Sequence, residues 1–233
     1  MAVVSITERG SVWVITMERA PANAIEATLL ADLERALKKA SVSESCRALV
    51  VTGRERFFSA GIDVKVVPAY EPDQRAATLR AANRTVHALY SFPKPTVAAV
   101  NGHALGAGLC IALACDLRIA AEGRYELGLT EAKAGVPFPA VPLELVRAEL
   151  GPDHARVLVL GADTFPSSDP RASWFLDRSV PAAELIQEAI AEATARAAYP
   201  AYAAVKKQLR AATVERMATI IEQDADPLLS SWP

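Results

Sequence analysis

Apolar and polar residues alternate with a period of two near the beginning of the chain. Residues 3–8 and 12–17 show this alternation on either side of Arg9-Gly10-Ser11, which predicts a β-hairpin. Two later apolar runs, at 47–52 and 95–100, are rich in β-branched residues and have the length of a strand, so we predict that both are buried strands. Further extended segments are predicted at residues 116–120 and 124–129.

Helical spacing of apolar residues appears between and after these strands. Leu29, Leu30, Leu33, Ala36 and Leu37 recur at intervals of three and four residues and share one face of a predicted helix. Further helices are predicted at residues 74–90, 107–115, 141–150, 154–160, 181–198, 200–209 and 214–224, with a loop-rich stretch at 161–180. Strands and helices thus alternate over the first 130 residues and helices dominate afterwards, which predicts an α/β fold.

Composition narrows the class of protein. The 233 residues include 25 basic and 27 acidic side chains, a balance that does not favour a nucleic-acid partner. No apolar run is long enough to span a membrane, and the first residues do not resemble a secretory signal. The three cysteines, Cys46, Cys110 and Cys115, lack the spacing of metal ligands, so we expect no metal site and a reducing, cytoplasmic location.

Two loops rich in small residues follow two of the predicted strands. One spans residues 53–63; the other begins at Asn101-Gly102 and continues to Gly106 and Gly108, which flank Ala107 at the start of a predicted helix. Small side chains allow a ligand to approach the backbone, whose free N–H groups can bind an anion or an oxygen that becomes negatively charged. The alternative is a tight connection whose small residues serve only packing.

Three segments together carry a family resemblance. Phe-Ser-Ala-Gly-Ile-Asp at 58–63, Lys-Pro-Thr-Val-Ala-Ala-Val-Asn-Gly-His-Ala-Leu-Gly-Ala-Gly at 94–108 and Ala-Cys-Asp-Leu-Arg-Ile-Ala at 114–120 resemble the crotonase superfamily, the enoyl-CoA hydratase/isomerase family. The resemblance implies a spiral of ββα repeats, an acyl-CoA thioester as substrate and no separate cofactor, since coenzyme A is part of the substrate. It also implies an acyl-CoA-binding core at 1–180 and a C-terminal helical region at 181–233 that assembles trimers or hexamers.

The resemblance further implies which residues form the site. The backbone N–H groups of Ile62 and Ala107 match the two donors that hold the thioester oxygen, and Glu131 matches a catalytic glutamate. The remaining positions expected to contact the substrate are Ala24, Ala60, Asp63, Val64, Gly106, Cys110 and Thr130. Two of these assignments have structural alternatives: Asp63 could cap the following turn, and Glu131 could be a surface residue that starts a helix.

The number of glutamates bears on the reaction. Hydratases of the family carry two, and the position of the first is occupied here by Cys110, which we expect to be a buried apolar thiol rather than a nucleophile. One base suffices to move a double bond from C3 to C2, so we favour an enoyl-CoA isomerase over a hydratase. A non-catalytic acyl-CoA-binding protein is a third hypothesis. We expect His103 to serve packing, and Glu144 is a weaker candidate for a second carboxylate.

Overall fold

The computed structural model describes residues 2–231. The ten strands described are β1 (Val4–Arg9), β2 (Val12–Met17), β3 (Ala48–Thr52), β4 (Phe57–Ser59), β5 (Thr96–Val100), β6 (His103–Leu105), β7 (Leu117–Ala121), β8 (Glu126–Gly128), β9 (Thr164–Pro166) and β10 (Arg178–Val180). The helices described are α1 (Ala27–Val42), α2 (Pro72–Tyr90), α3 (Ala107–Leu113), α4 (Ala140–Gly161), α5 (Leu185–Ala197), α6 (Tyr202–Glu222) and α7 (Leu228–Ser231). None of the helices in this range is long and apolar enough to cross a membrane.

The strands form two sheets, and consecutive strands are divided between them. The larger sheet has the order β1-β2-β3-β5-β7-β10, with β1 and β2 antiparallel and the other neighbours parallel. The smaller sheet has the order β4-β6-β8-β9. Thus β3-β4-α2, β5-β6-α3 and β7-β8-α4 each place their first strand in the larger sheet and their second in the smaller one. This is the spiral of ββα repeats, so the predicted fold is confirmed.

The larger sheet is covered on both faces, and its central strands β3 and β5 are apolar apart from Thr52 and Thr96 at their ends. In β3, Leu49 and Val51 belong to the main core, which also contains α1, whereas Val50 faces the opposite way, toward Leu185 and Ala189 of α5. This follows from the period of two in a strand. The first helix after residue 180 therefore packs on the sheet of its own chain, and self-association stays a prediction.

Asp116 attaches α6 to the end of the larger sheet. Its carboxylate lies 2.7 Å from Nζ of Lys206 and 2.9 Å from a guanidinium nitrogen of Arg210, and it accepts a hydrogen bond of 3.0 Å from the hydroxyl of Tyr202. The side chains of Lys206 and Arg210 are buried. The acidic residue of the 114–120 segment therefore has a structural role here.

The sequence prediction missed four short strands and the short helix α7, and it divided one helix into two. The strands not predicted are β4, β6, β9 and β10, each of three residues. The two helices expected between 200 and 224 are one continuous helix, α6, since no glycine or proline interrupts that stretch. The break expected at Gly151 is present as a kink inside α4, where Gly151 has φ of 69°.

Candidate active site

The two glycine-containing loops meet at the point where β4 and β6 end. A β-carbon added to Gly61 would lie 2.6 Å from the carbonyl oxygen of Leu105 and 3.5 Å from the amide nitrogen of Ala107. One added to Gly108 would lie 2.5 Å from the carbonyl oxygen of Ser59. Side chains at positions 61 and 108 would push the loops apart, so these glycines allow the two backbones to be in contact.

The amides of Ile62 and Ala107 donate no hydrogen bond to any residue within 2–231. Their neighbours are held firmly: Ile25 N donates to Gly61 O at 2.7 Å, and Asp63 N donates to Ile25 O at 2.9 Å. Gly106 N likewise donates to Gly128 O at 2.8 Å. The first loop is thus fixed on both sides of its free donor, and the second loop is fixed at the residue before its free donor.

Asn23 and Ser59 hold the first loop, and sequence reasoning missed both. The side-chain amide of Asn23 donates to Phe57 O at 3.0 Å, and Ser59 Oγ donates to Asn23 O at 2.7 Å. Ser59 Oγ also accepts a hydrogen bond of 3.2 Å from Gly61 N. Asn23 has φ of 50°, a conformation that asparagine tolerates. The asparagine in the loop Pro-Ala-Asn-Ala was therefore the signal that the sequence offered.

Glu131 follows β8 and lies beside the second loop. A β-carbon on Gly106 would be 3.1 Å from its Oε1, so the carboxylate is in contact with the backbone at 106. Its Oε2 is buried and has no hydrogen-bond partner within the described residues. Burial raises the pKa of Glu131 from 4.5 to about 7, against a smaller lowering by hydrogen bonds from nearby backbone. A carboxylate with this environment is unusual for a merely structural residue.

Glu131 and the two free amides belong to residues that line one small cavity of about 40 Å³. Its wall is formed by Ile25, Leu30, Ile62, Leu79, Ala82, Thr85, Val86, Ala107, Ile111, Glu131, Val136, Pro139 and Pro142. Glu131 and Thr85 are the polar side chains of this wall. The arrangement can therefore exclude water, stabilise an oxyanion and exchange a proton.

Asp63 is used within its own loop. Its carboxylate lies 2.8 Å from a guanidinium nitrogen of Arg19 and accepts hydrogen bonds of 3.1 Å each from the amides of Lys65 and Val66. Burial alone would raise the pKa of Asp63, but Arg19 and the two amides lower it. The alternative that it caps the turn is therefore what the structure shows, and its contact with substrate stays a prediction.

The other predicted contacts lie at varying distances from the cavity. Ala24 and Ala60 are half-buried next to the first loop, and Val64 is exposed. Thr130 adjoins Gly106, since its Oγ1 would be 3.6 Å from a β-carbon there. Cys110 is fully buried in α3 outside the cavity wall, and both burial and Glu131 raise the pKa of its thiol well above 9. That thiol is not suited to act as a nucleophile.

The remaining candidates have structural partners. His103 packs against Phe57 with ring centroids 4.9 Å apart, and its Nδ1 accepts a hydrogen bond of 3.1 Å from Glu126 N. Glu144 forms ion pairs with Arg147 and Arg216, at 2.9 Å and 2.7 Å, and does not line the cavity. Within residues 2–231 no cluster of histidine, cysteine or acidic side chains could hold a metal ion.

Comparison with known proteins adds evidence independent of this geometry. The curated relatives include a probable enoyl-CoA hydratase of Bacillus subtilis, 36% identical over 137 residues. That match covers 58% of this chain and about half, 53%, of the relative. A probable mitochondrial enoyl-CoA hydratase of Dictyostelium discoideum is 33% identical over 199 residues, covering 84% of this chain and 70% of the relative.

Solved structures agree with the fold. The crystal structure of human mitochondrial delta3-delta2-enoyl-CoA isomerase matches with a TM-score of 0.89 at 27% identity, covering 98% of this chain and 92% of that one. The family model described as enoyl-CoA hydratase/isomerase matches residues 7–231. Because that match takes in both loops, Glu131 and the C-terminal helices, the chain belongs to the enoyl-CoA hydratase/isomerase family of the crotonase superfamily.

Proposed function

We propose that this family member is an enoyl-CoA isomerase that converts a 3-enoyl-CoA into a 2-enoyl-CoA. The observation that carries the proposal is that Glu131 is the single carboxylate of the cavity wall, with one oxygen buried and unpartnered. The position at which a hydratase carries its other glutamate is Cys110, which is buried outside that wall.

One carboxylate can complete the isomerisation. The ionised Glu131 removes a proton from C2, and the electron pair of the broken C–H bond forms the C1–C2 double bond of an enolate. The amides of Ile62 and Ala107 donate hydrogen bonds to the enolate oxygen. The thioester carbonyl then re-forms, and the electron pair of the C1–C2 double bond becomes the C2–C3 double bond. The electrons of the former C3–C4 double bond take the proton from Glu131 at C4, which regenerates the carboxylate.

The environment of each group suits its proposed role. A base with a pKa of about 7 is ionised in a substantial fraction near neutral pH and is strong enough to return the proton. The amides of Ile62 and Ala107 have no hydrogen-bond partner within residues 2–231, so both are available when negative charge develops on the thioester oxygen. Loss of one such donor typically costs on the order of 3 kcal/mol in the transition state.

Hydration of a 2-enoyl-CoA is the second candidate, favoured by the names of the curated relatives. It requires water to be positioned and deprotonated while C2 is protonated, work for which two carboxylates are suited. A non-catalytic acyl-CoA-binding protein is the third. The cavity wall offers one acid, and this is why we place isomerisation first.

An ultraviolet assay of the conjugated enoyl thioester separates the three. We expect 3-enoyl-CoA to gain 2-enoyl absorbance and 2-enoyl-CoA to keep it. Glu131→Gln should lower turnover about 10²- to 10⁴-fold while coenzyme A thioester binding persists. Glu122→Gln is the matched control, because Glu122 is exposed on the surface and forms no ion pair within the described residues. Loss of 2-enoyl absorbance would favour a hydratase, and no change with either substrate would favour a binding protein.

We further propose that the coenzyme A part of the substrate follows the first loop past Ala24, Ala60 and Val64.

We also propose that the chain self-associates as a trimer or hexamer. The exposure of Leu209 on α6, at 83%, is consistent with a helix that is covered in an assembly. Light scattering of the purified protein tests the assembly, and a monomeric mass would contradict it.

A further inference from the structure

The hydroxyl of Thr85 is a second unsatisfied polar group in the wall of the Glu131 cavity. Thr85 lies on α2 and is 1% exposed. Its Oγ1 has no hydrogen-bond partner within residues 2–231. The only other polar side chain of the wall is that of Glu131, so this hydroxyl is surrounded by apolar groups.

A comparison with Thr78 on the same helix shows that this state is not imposed by the helix. Thr78 is equally buried, at 2%, but its hydroxyl donates to the carbonyl oxygen of Gln74 at 2.8 Å, and it does not line the cavity. The hydroxyl of a threonine in a helix commonly donates to a backbone carbonyl of the preceding turn in this way. Thr85 does not, although a buried hydroxyl without a partner is destabilising.

Valine would fill the same volume at position 85 without this cost. A ligand group that pairs with it would account for a hydroxyl that stands in an apolar wall without a hydrogen-bond partner among the described residues. The cavity, at about 40 Å³, is well below the ~150 Å³ that accommodates a benzene ring, so it suits a short acyl chain.

We propose that Thr85 is a specificity-determining residue that selects a short acyl-CoA with a hydroxyl or carbonyl oxygen on its acyl chain over the hydrocarbon chain of equal size. The inference deepens the proposed function, since it rests on the acyl chain occupying the Glu131 cavity. A threonine hydroxyl both donates and accepts, so it pairs with either kind of oxygen. Sites that hydrogen-bond a substrate oxygen reject the analogue that lacks it, because their own polar group is then left unpaired.

Two isosteric pairs of ligands test the proposal by calorimetric binding. One pair is 4-hydroxybutyryl-CoA and pentanoyl-CoA; the other is 3-hydroxybutyryl-CoA and 3-methylbutyryl-CoA. We expect the parent protein to bind the oxygenated member of at least one pair about ten- to a hundredfold more tightly. Thr85→Val should abolish or reverse this preference, Thr85→Ser should retain it, and the matched control Thr78→Val should leave it unchanged.

The outcomes are distinguishable from failure of the isomerase proposal because binding does not require turnover. A parent protein that isomerises 3-enoyl-CoA but binds both members of each pair equally overturns the role of Thr85 and leaves the isomerase intact. If the parent protein shows no isomerase activity but its preference for the oxygenated ligand disappears in Thr85→Val, the role of Thr85 is supported and the isomerase proposal is not. Retention of the preference in Thr85→Val, or absence of binding by all four ligands, overturns the inference. Equal binding of both members of each pair by the parent overturns the inference without any variant, and Thr85→Ser, which keeps the hydroxyl, tests the assignment to Thr85 beside Thr85→Val.

Discussion

The backbone of Gly106 lies directly against the carboxylate of Glu131. A β-carbon at 106 would stand 3.1 Å from Glu131 Oε1, and Gly106 has φ of 50° and ψ of −126°, a combination that side chains rarely adopt. Gly106 therefore both precedes the free amide of Ala107 and contacts the carboxylate of Glu131, the proposed base. Position 106 thus links the proposed oxyanion donor to the proposed base.

Gly106→Ala should lower kcat/KM about 10- to 100-fold, because the added methyl group displaces either the Glu131 carboxylate or the Ala107 amide. Steady-state kinetics with 3-enoyl-CoA measures the effect. Gly10→Ala is the matched control: Gly10 also has a positive φ, of 62°, but no atom lies within 4 Å of an added β-carbon. It should lose some stability and keep its activity. Equal activity of both variants would contradict the contact.

The kcat/KM for 3-enoyl-CoA should rise as the pH is increased through about 7. Burial raises the pKa of Glu131 to about 7, and the proposed mechanism requires its ionised form. Below that pKa, kcat/KM should fall about tenfold for each pH unit, and above it the rate should level off. Initial rates between pH 5 and pH 9 in buffers of constant ionic strength measure the profile. A profile that is flat between pH 5 and pH 8 would show that another group, or none, is titrating.

Glu131→Gln should stabilise the protein above neutral pH although it lowers turnover. The folded state holds the Glu131 proton up to about pH 7 and the unfolded state only up to about 4.5, so the parent loses stability as pH rises across this window. The glutamine has no charge to bury. The difference in unfolding free energy should grow from near zero at pH 4 to on the order of 3 kcal/mol at pH 8.

Urea denaturation at pH 4, 6 and 8 measures this difference. Glu122→Gln serves as the control, because it makes the same chemical change at an exposed position. A Glu131→Gln effect that is constant over the same range would mean that the carboxylate is not buried as described.

Ser59→Ala should weaken both stability and catalysis. The hydroxyl donates to Asn23 O and accepts from Gly61 N, and its removal leaves both buried groups unpaired, at a cost of about 1–3 kcal/mol. The amide of Ile62 follows directly, so its displacement should lower kcat about tenfold or more. Ser41→Ala removes an exposed hydroxyl and should change neither quantity appreciably. Unchanged kcat in Ser59→Ala would exclude a positioning role.

Asp116→Asn should destabilise the protein by about 3–5 kcal/mol. The substitution keeps the shape but removes the carboxylate that pairs with the buried Lys206, and it leaves the buried Arg210 with only the more distant carboxylate of Glu149, at 3.5 Å, among the described residues. Asp224→Asn is the matched control, because Asp224 pairs with Arg80 on the surface, where solvent weakens an ion pair. Urea unfolding of both variants makes the comparison. Equal small effects would mean that α6 is held by apolar contacts alone.

Local patterns in the sequence determined most of the secondary structure. The strands at 48–52 and 96–100 and the helix at 27–42 have enough residues for periodicity to be visible. The three-residue strands do not. His103 to Leu105 pairs with β4 and β8 only because the spiral brings them side by side, and no window of three residues contains that information.

The family resemblance, rather than periodicity or composition, pointed to the amides at 62 and 107 and the acid at 131, because these positions match the family's motifs. The sequence did not contain the environment of those groups. The raised pKa of Glu131, the ion pair between Asp63 and Arg19, and the presence of Thr85 in the same cavity depend on elements far apart in the chain. Burial and hydrogen bonding are properties of the packed whole, so tertiary structure alone decided which polar groups were left free to meet a ligand.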